Sequence, residues 1–284
     1  MSTATHQFDL DRLGLPGDED EFVVEKERIV AYAAATNDDI APHASGEIAP
    51  PVFAVVPAFG AMMQASSTLI PSDLVMRVVH GEQDFRFVAP IRAGMTLVTR
   101  VTPIGVHARS SGVTVTSRAE TRDRASGELV VEQYLTAFVR GARSDVSAGE
   151  TPPPHALDPA LRDSEPLAAV EQTFDADQTY RYAEASGDPM PIHTDDALAK
   201  AMGLPGIIIH GLCTMAFTSR AVIQTVCPED PTRLKRLAVR FSKVVQPGET
   251  ITTRIWPAGE GTYAFETTSD EGKVVITDGL AEIG

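Results

Sequence analysis

Asp188 and His193 stand five residues apart inside Tyr182–Thr214, YAEASGDPMPIHTDDALAKAMGLPGIIIHGLCT, a segment stiffened by Pro189 and Pro191. A carboxyl and an imidazole that share one water can pass its proton in either direction. Further along, His210-Gly211 follows an apolar run and opens a helical stretch. A glycine at a helix start exposes an unpaired N–H to close approach, and the helix dipole favours negative charge there. That is the arrangement of an oxyanion hole. Together these groups suit the addition of water to an activated carbonyl compound, or its removal.

The pair's spacing is weak evidence alone, because a common residue five before one of seven His arises by chance. Its surroundings strengthen it. Ser186-Gly187 suggests a tight turn before Asp188, and the two prolines make the loop rigid, as a pre-organised site requires. Purely structural roles compete: Asp188 as a helix-terminal turn residue, His193 as a satisfied core histidine. His210 reads as a supporting residue bonded to backbone beside the site. Asp195 either orients His193 or belongs to the next helix N-terminus, the second being favoured.

The elements that must position these residues come in two copies. Tyr32, Asp38 and His43 precede Tyr182, Asp188 and His193 by 150 residues. Phe85–Val101 matches Val239–Ile255 at an offset of 154, pairing Phe87 with Phe241 and Gly94 with Gly248. Each half closes in alternating, strand-like segments: Gly112–Ala119 and Leu129–Val139, then Tyr263–Thr268 and Lys273–Ala281. In the second half, Asp177–Ala185 reads as a short helix. Thr194 is the expected cap of a helix Asp195–Met202 that Gly203 ends. Gly211–Val226 carries Arg220 as its sole charge, so it should be buried against a sheet. Helices followed by strands argue for an α+β fold, an antiparallel sheet wrapped round a central helix, used twice. The expected domains are residues 1–145, a Ser-, Pro-, Gly- and Asp-rich linker 146–166, and a catalytic half 167–284.

The first half is an internal control. Asp38 and His43 keep the spacing, but Thr36-Asn37 replaces Ser-Gly. Two alignments place Pro57 or Pro50 opposite Gly211, and proline has no N–H to donate. The first half is therefore expected to hold substrate rather than to catalyse.

A formal charge of −15 argues against non-specific nucleic-acid binding. Arg233–Arg236, Arg240 and Lys243 form the densest basic patch. It could grip a phosphate-bearing ligand, with Arg240 and Lys243 as substrate-binding residues, or be ordinary charge on a strand face. Cys213 and Cys227 lack CxxC spacing and read as free thiols of a reducing compartment. No leader-like start and no run of about 20 apolar residues is present, which points to a cytoplasmic protein with no membrane partner. No GxGxxG, Walker, GxSxG or CxxC pattern occurs. His193, His210 and an Asp match no common zinc spacing, so no metal is expected.

The segment around SGDPMPIH resembles the hydratase motif of the MaoC-like, (R)-specific enoyl-CoA hydratases, the type 2 hydratases. GIIIHGLCTMAF and LAVRFSKVVQPGETI are similar to the same family, and IAPPVF with HGEQDFRF to the degenerate first half of its two-domain members. The resemblance implies a double hotdog fold and hydration of trans-2-enoyl-CoA to (3R)-3-hydroxyacyl-CoA. It implies Asp188 and His193 as the catalytic pair, the N–H of Gly211 as oxyanion donor, and His210, Asp195 and Ser186 in support. No cofactor is needed, because the thioester already acidifies C2. The family usually has Asn where this chain has Met190. Dehydration of 3-hydroxyacyl groups on acyl carrier protein, and a non-catalytic acyl-CoA binder, remain as alternatives. A monomer that is itself a pseudo-dimer, or a homodimer, is expected.

Overall fold

Repeated helix-then-strand patterning produces repeated elements in the structure, a computed structural model that describes residues 5–284. The first half runs through β1 (Glu19–Val23), α1 (Lys26–Ala35), α2 (Ala41–Ala44), α3 (Phe59–Leu69), β2 (Val78–Phe87), β3 (Thr96–Arg109), β4 (Gly112–Asp123), β5 (Leu129–Arg140) and β6 (Ser147–Gly149). The second runs through β7 (Ala168–Thr173), α4 (Gln178–Ser186), α5 (Asp196–Ala201), α6 (Gly211–Val226), β8 (Leu234–Phe241), β9 (Thr250–Gly259), β10 (Thr262–Ser269) and β11 (Val274–Ile283).

The chain forms two compact units that interleave in sequence. One contains the stretch up to Phe22 with Pro57–Val88 and Thr96–Pro154. The other contains Val23–Val56, Ala89–Met95 and His155–Gly284. The first unit has strand order β1-β3-β4-β5-β2, with β6 also on β3. Met62 and Leu69 of α3 bury among Val101, Val115 and Leu135.

In the second unit the order is β8-β11-β10-β9-β7, with each neighbouring pair antiparallel. Its core helix is α6, which lies against β7, β8, β9 and β11. Leu212–Ser219 and Ala221–Ile223 are all buried. A helix apolar nearly all round must be covered, and burial of Met215, Phe217 and Ile223 stabilises by about 1.5–3 kcal/mol each. Inside this apolar contact Thr218, Thr253 and Thr267 satisfy one another's hydroxyls at 3.2 and 2.9 Å. Thr99 and Thr121 make the equivalent pair in the first unit at 2.9 Å.

Two expectations need correction. The first half does not contain a long continuous central helix. A 3-10 turn, Pro51–Val55, is followed only at Phe59 by α3. Pro57 lies in the gap, and its missing N–H and ring clash interrupt the ladder that α6 maintains. Second, the cap of α5 is Asp195, whose carboxylate accepts the Leu198 N–H at 3.0 Å, not Thr194. The residues with linker composition make defined contacts. Ser147–Gly149 pairs with β3, the His155 ring N–H donates to the Asp278 carbonyl at 2.7 Å, and Arg162 grips both carboxylate oxygens of Glu266. Asp278 adopts a left-handed φ of 52° where the β11 register slips, which lets its carboxylate also accept Leu157 N–H. Among the described residues no helix is long and apolar enough to cross a membrane.

Candidate active site

Asp188, His193, His210 and Gly211 all lie in the second unit, on the connection from α4 to α6. Gly187 ends α4 at φ 75°, a left-handed turn that costs glycine little. The turn projects Asp188, whose N–H donates to Ser186 Oγ at 3.3 Å. Ser186 thus supports the backbone of the acidic residue. Asp188 Oδ1 accepts the Met190 N–H at 3.2 Å. The Met190 side chain points outward, half-exposed, so this position organises the loop through its backbone. Pro191 then starts a single 3-10 turn that ends on His193.

His193 is buried, and its Nδ1–H donates to the Ile208 carbonyl at 2.8 Å. In the neutral ring that bond leaves Nε2 as the lone pair. His210 is the N-cap residue of α6, and its ring stacks on His193 with centroids 3.6 Å apart at 21°. His210 Nε2–H donates to the Asp188 carbonyl at 3.4 Å, while the buried Nδ1 has no partner. Burial raises the pKa of the Asp188 carboxyl, against the Met190 N–H and the nearby His193. Burial also lowers that of His193, against the Ile208 carbonyl and Asp188. His210 is pushed down to about 3 by burial and then by the charge of His193. Burial therefore shifts both groups toward their neutral forms.

The first turn of α6 has N–H groups with no acceptor inside the helix, Gly211 first among them. A Cβ on Gly211 would sit 3.3 Å from two ring carbons of Phe241 at the end of β8. Glycine here lets that ring close against the helix start. Asp188, His193 and His210 each offer a ligand atom within 4.8 Å of the others, close enough to share a cation. The two rings, however, stack in near-parallel planes, so lone pairs lying in those planes are a poor tetrahedral set.

Sequence reasoning brought Asp188, His193, His210, Gly211 and Ser186 together, and the structure clusters them. Asp195 does not orient His193, because its carboxylate caps α5. Arg240 pairs with Asp278 at 3.0 Å, Arg236 is buried against Glu282, and Lys243 is exposed just beyond β8. Arg240 and Lys243 flank Phe241, which faces Gly211. The Ile208 carbonyl and Phe241 went unread. Only the apolar run before His210 hinted at the first, and Phe241 showed only as a repeat position.

The duplicated pair is built differently. His43 Nδ1 lies 2.8 Å from Asp38 Oδ2, and both are buried. The two groups bind each other. Asn37 takes φ 51° where the second copy has Gly187, so the left-handed turn survives with the residue type best able to replace glycine. Ala49 N–H bonds to Ile91 as Ile209 N–H bonds to Val245. That match places Pro51 opposite Gly211, correcting both sequence alignments, and the position still has no N–H.

Comparison with known proteins adds to this geometry. The MaoC like domain model matches residues 160–279, and the MFE-2 hydratase 2 N-terminal domain model matches residues 43–141. A Dictyostelium discoideum protein named probable enoyl-CoA hydratase 2 is 32% identical over 73% of this chain and 70% of its own length. The 3-hydroxyacyl-thioester dehydratase Y of Mycobacterium tuberculosis is 35% identical over 82% of this chain and 80% of its own. A MaoC-like dehydratase from Phytophthora capsici superposes with a TM-score of 0.86 at 25% identity, covering 97% of this chain and 99% of that one. The chain belongs to the MaoC-like hydratase family and has its double hotdog fold.

Proposed function

We propose that this protein reversibly hydrates trans-2-enoyl-CoA to (3R)-3-hydroxyacyl-CoA in fatty-acid metabolism. The observation that carries the reading is the Ile208 carbonyl bound to His193 Nδ1, which leaves Nε2 as the lone pair of a ring whose nitrogen clusters with the Asp188 carboxyl within 4.8 Å. A water held between them gives its proton to Nε2 as its oxygen bonds to C3. The Asp188 carboxyl, kept protonated more readily by burial, gives its proton to C2. Proton transfer from the imidazolium to the carboxylate restores both groups, so the net change is addition of one water. The thioester oxygen becomes negative between these steps. The Gly211 N–H and the N-terminus of α6 stabilise it, a type of contribution worth about 100- to 1000-fold in rate.

Arg240 and Lys243 supply positive charge beside Phe241 for the phosphates of the coenzyme, with Arg240 exchanging its Asp278 partner. The buried thiols Cys213 and Cys227 suit a reducing compartment such as the cytoplasm, and the chain acts as a monomer or homodimer.

Asp188→Asn and His193→Gln should each abolish loss of the enoyl-thioester absorbance of crotonyl-CoA while circular dichroism stays unchanged. Near-normal turnover by either variant refutes the assignment. An unmodified protein that binds enoyl-CoA yet leaves its absorbance intact is a non-catalytic binder. Running the same assay on an acyl-carrier-protein thioester decides the carrier, and chiral analysis of the product tests the (3R) configuration.

A further inference from the structure

Phe53, Tyr32, Tyr182, His210 and His193 form a continuous column of rings within the second compact unit. Successive centroids are 5.4, 5.6, 4.9 and 3.6 Å apart. The Tyr32 and Tyr182 hydroxyls, from equivalent positions of the two repeats, meet at 3.1 Å. Both tyrosines are fully buried, and burial raises both phenols so that they remain neutral hydrogen-bonding groups.

The column answers a mechanical need at the site. The Nδ1–H bond to Ile208 fixes one direction of the His193 ring but leaves the ring able to pivot about that bond. The flat face of His210 stops the pivot. His210 is itself weakly tethered, with one long bond to the Asp188 carbonyl and an unpartnered Nδ1. Its plane is therefore set by packing, and Tyr182 packs on it.

We infer that Tyr182, locked by its hydroxyl bond to Tyr32 of the first repeat, is a positioning residue that holds His210 against the catalytic His193. This inference rests on the hydratase reading of the site. It also gives the non-catalytic repeat a role in catalysis, through Tyr32 and Phe53. Tyr182 touches no reacting atom, so its loss should lower the rate of the chemical step and leave substrate affinity alone.

The test measures kcat and KM for crotonyl-CoA in Tyr182→Leu, Tyr182→Phe, Tyr32→Phe and the double Phe variant, beside Asp188→Asn. Tyr182→Leu keeps the apolar bulk and loses the flat ring. Its kcat should fall about tenfold or more with KM within about twofold. Tyr182→Phe should restore most of that loss. The two single Phe variants should match each other, and the double should be no worse, because all three remove the same bond. Thermal midpoints above the assay temperature show that the loss is not unfolding. The inference fails if folded Tyr182→Leu keeps kcat within about twofold, or if KM rises while kcat holds. It also fails if the Phe variants lose additively. If Asp188→Asn stays active, the hydratase reading fails instead.

Discussion

At the scale of single residues, the two Asp-His pairs differ in where each histidine places its hydrogen bond. His193 spends Nδ1 on a backbone carbonyl and keeps Nε2, whereas His43 spends Nδ1 on Asp38. One spacing therefore yields a poised pair in one place and a closed pair in the other. The lowered pKa of His193 has a direct consequence for pH dependence. On the proposed mechanism His193 must be neutral to take a proton, so kcat/KM rises with pH through its folded pKa. That acid limb should have its midpoint below the ordinary imidazole value of about 6.5. A midpoint above it would contradict the role of His193. Gly211 is constrained by touch as much as by its N–H. In Gly211→Ala the N–H remains, but the new methyl meets two Phe241 ring carbons at 3.3 Å. A fall of about tenfold in kcat is expected, from displacement of the donor relative to the oxyanion. Partial recovery should follow when Phe241→Leu is added.

At the scale of elements, what separates the two repeats is an unbroken helix. Helix α6 begins at the site and runs 16 residues, whereas its counterpart is a 3-10 turn, a gap at Pro57 and an 11-residue helix. Pro51 removes the donor and Pro57 removes the aligned dipoles behind it. Asp38 and His43 hold each other in a buried pair. Asp38 Oδ1 also accepts the Ile40 N–H at 3.0 Å, so Asp38→Ala leaves one buried and one part-buried donor unpaired. It should cost about 1–3 kcal/mol in chemical denaturation with hydratase activity retained. Loss of activity in the folded variant would place chemistry in the first repeat.

At the scale of the whole molecule, the sequence halves and the compact units are not the same objects. The unit that carries the site borrows Val23–Val56. From that segment come the hydroxyl of Tyr32, the Ala35 carbonyl bound by Gln178 at 2.6 Å, and the Asn37 carbonyl bound by Arg220. Residues 167–284 expressed alone would leave these polar groups without partners and the face of α4 uncovered. That fragment should be insoluble or inactive, as sedimentation and the crotonyl-CoA assay would show. A soluble fragment with full turnover would mean that the borrowed segment is dispensable.

Much of this was legible from the chain alone, because it depends on local chemistry. The bounds of α6 follow from a glycine start, one charge and a continuous apolar surface. The repeat, the inability of a proline to serve as oxyanion donor, and the Asp-His motif need no coordinates either. Tertiary structure decided what depends on contacts between distant residues. It showed which proline faces the position of Gly211, since that was set by the bond of Ala49 to Ile91. It showed that Asp195 caps a helix, that the polar linker is strapped to β10 and β11, and that Arg240 already has a carboxylate partner. Above all it showed which of two identically spaced Asp-His pairs is open. Spacing along the chain sets what two side chains are able to reach, but the competing partners that packing delivers decide which contact each one makes.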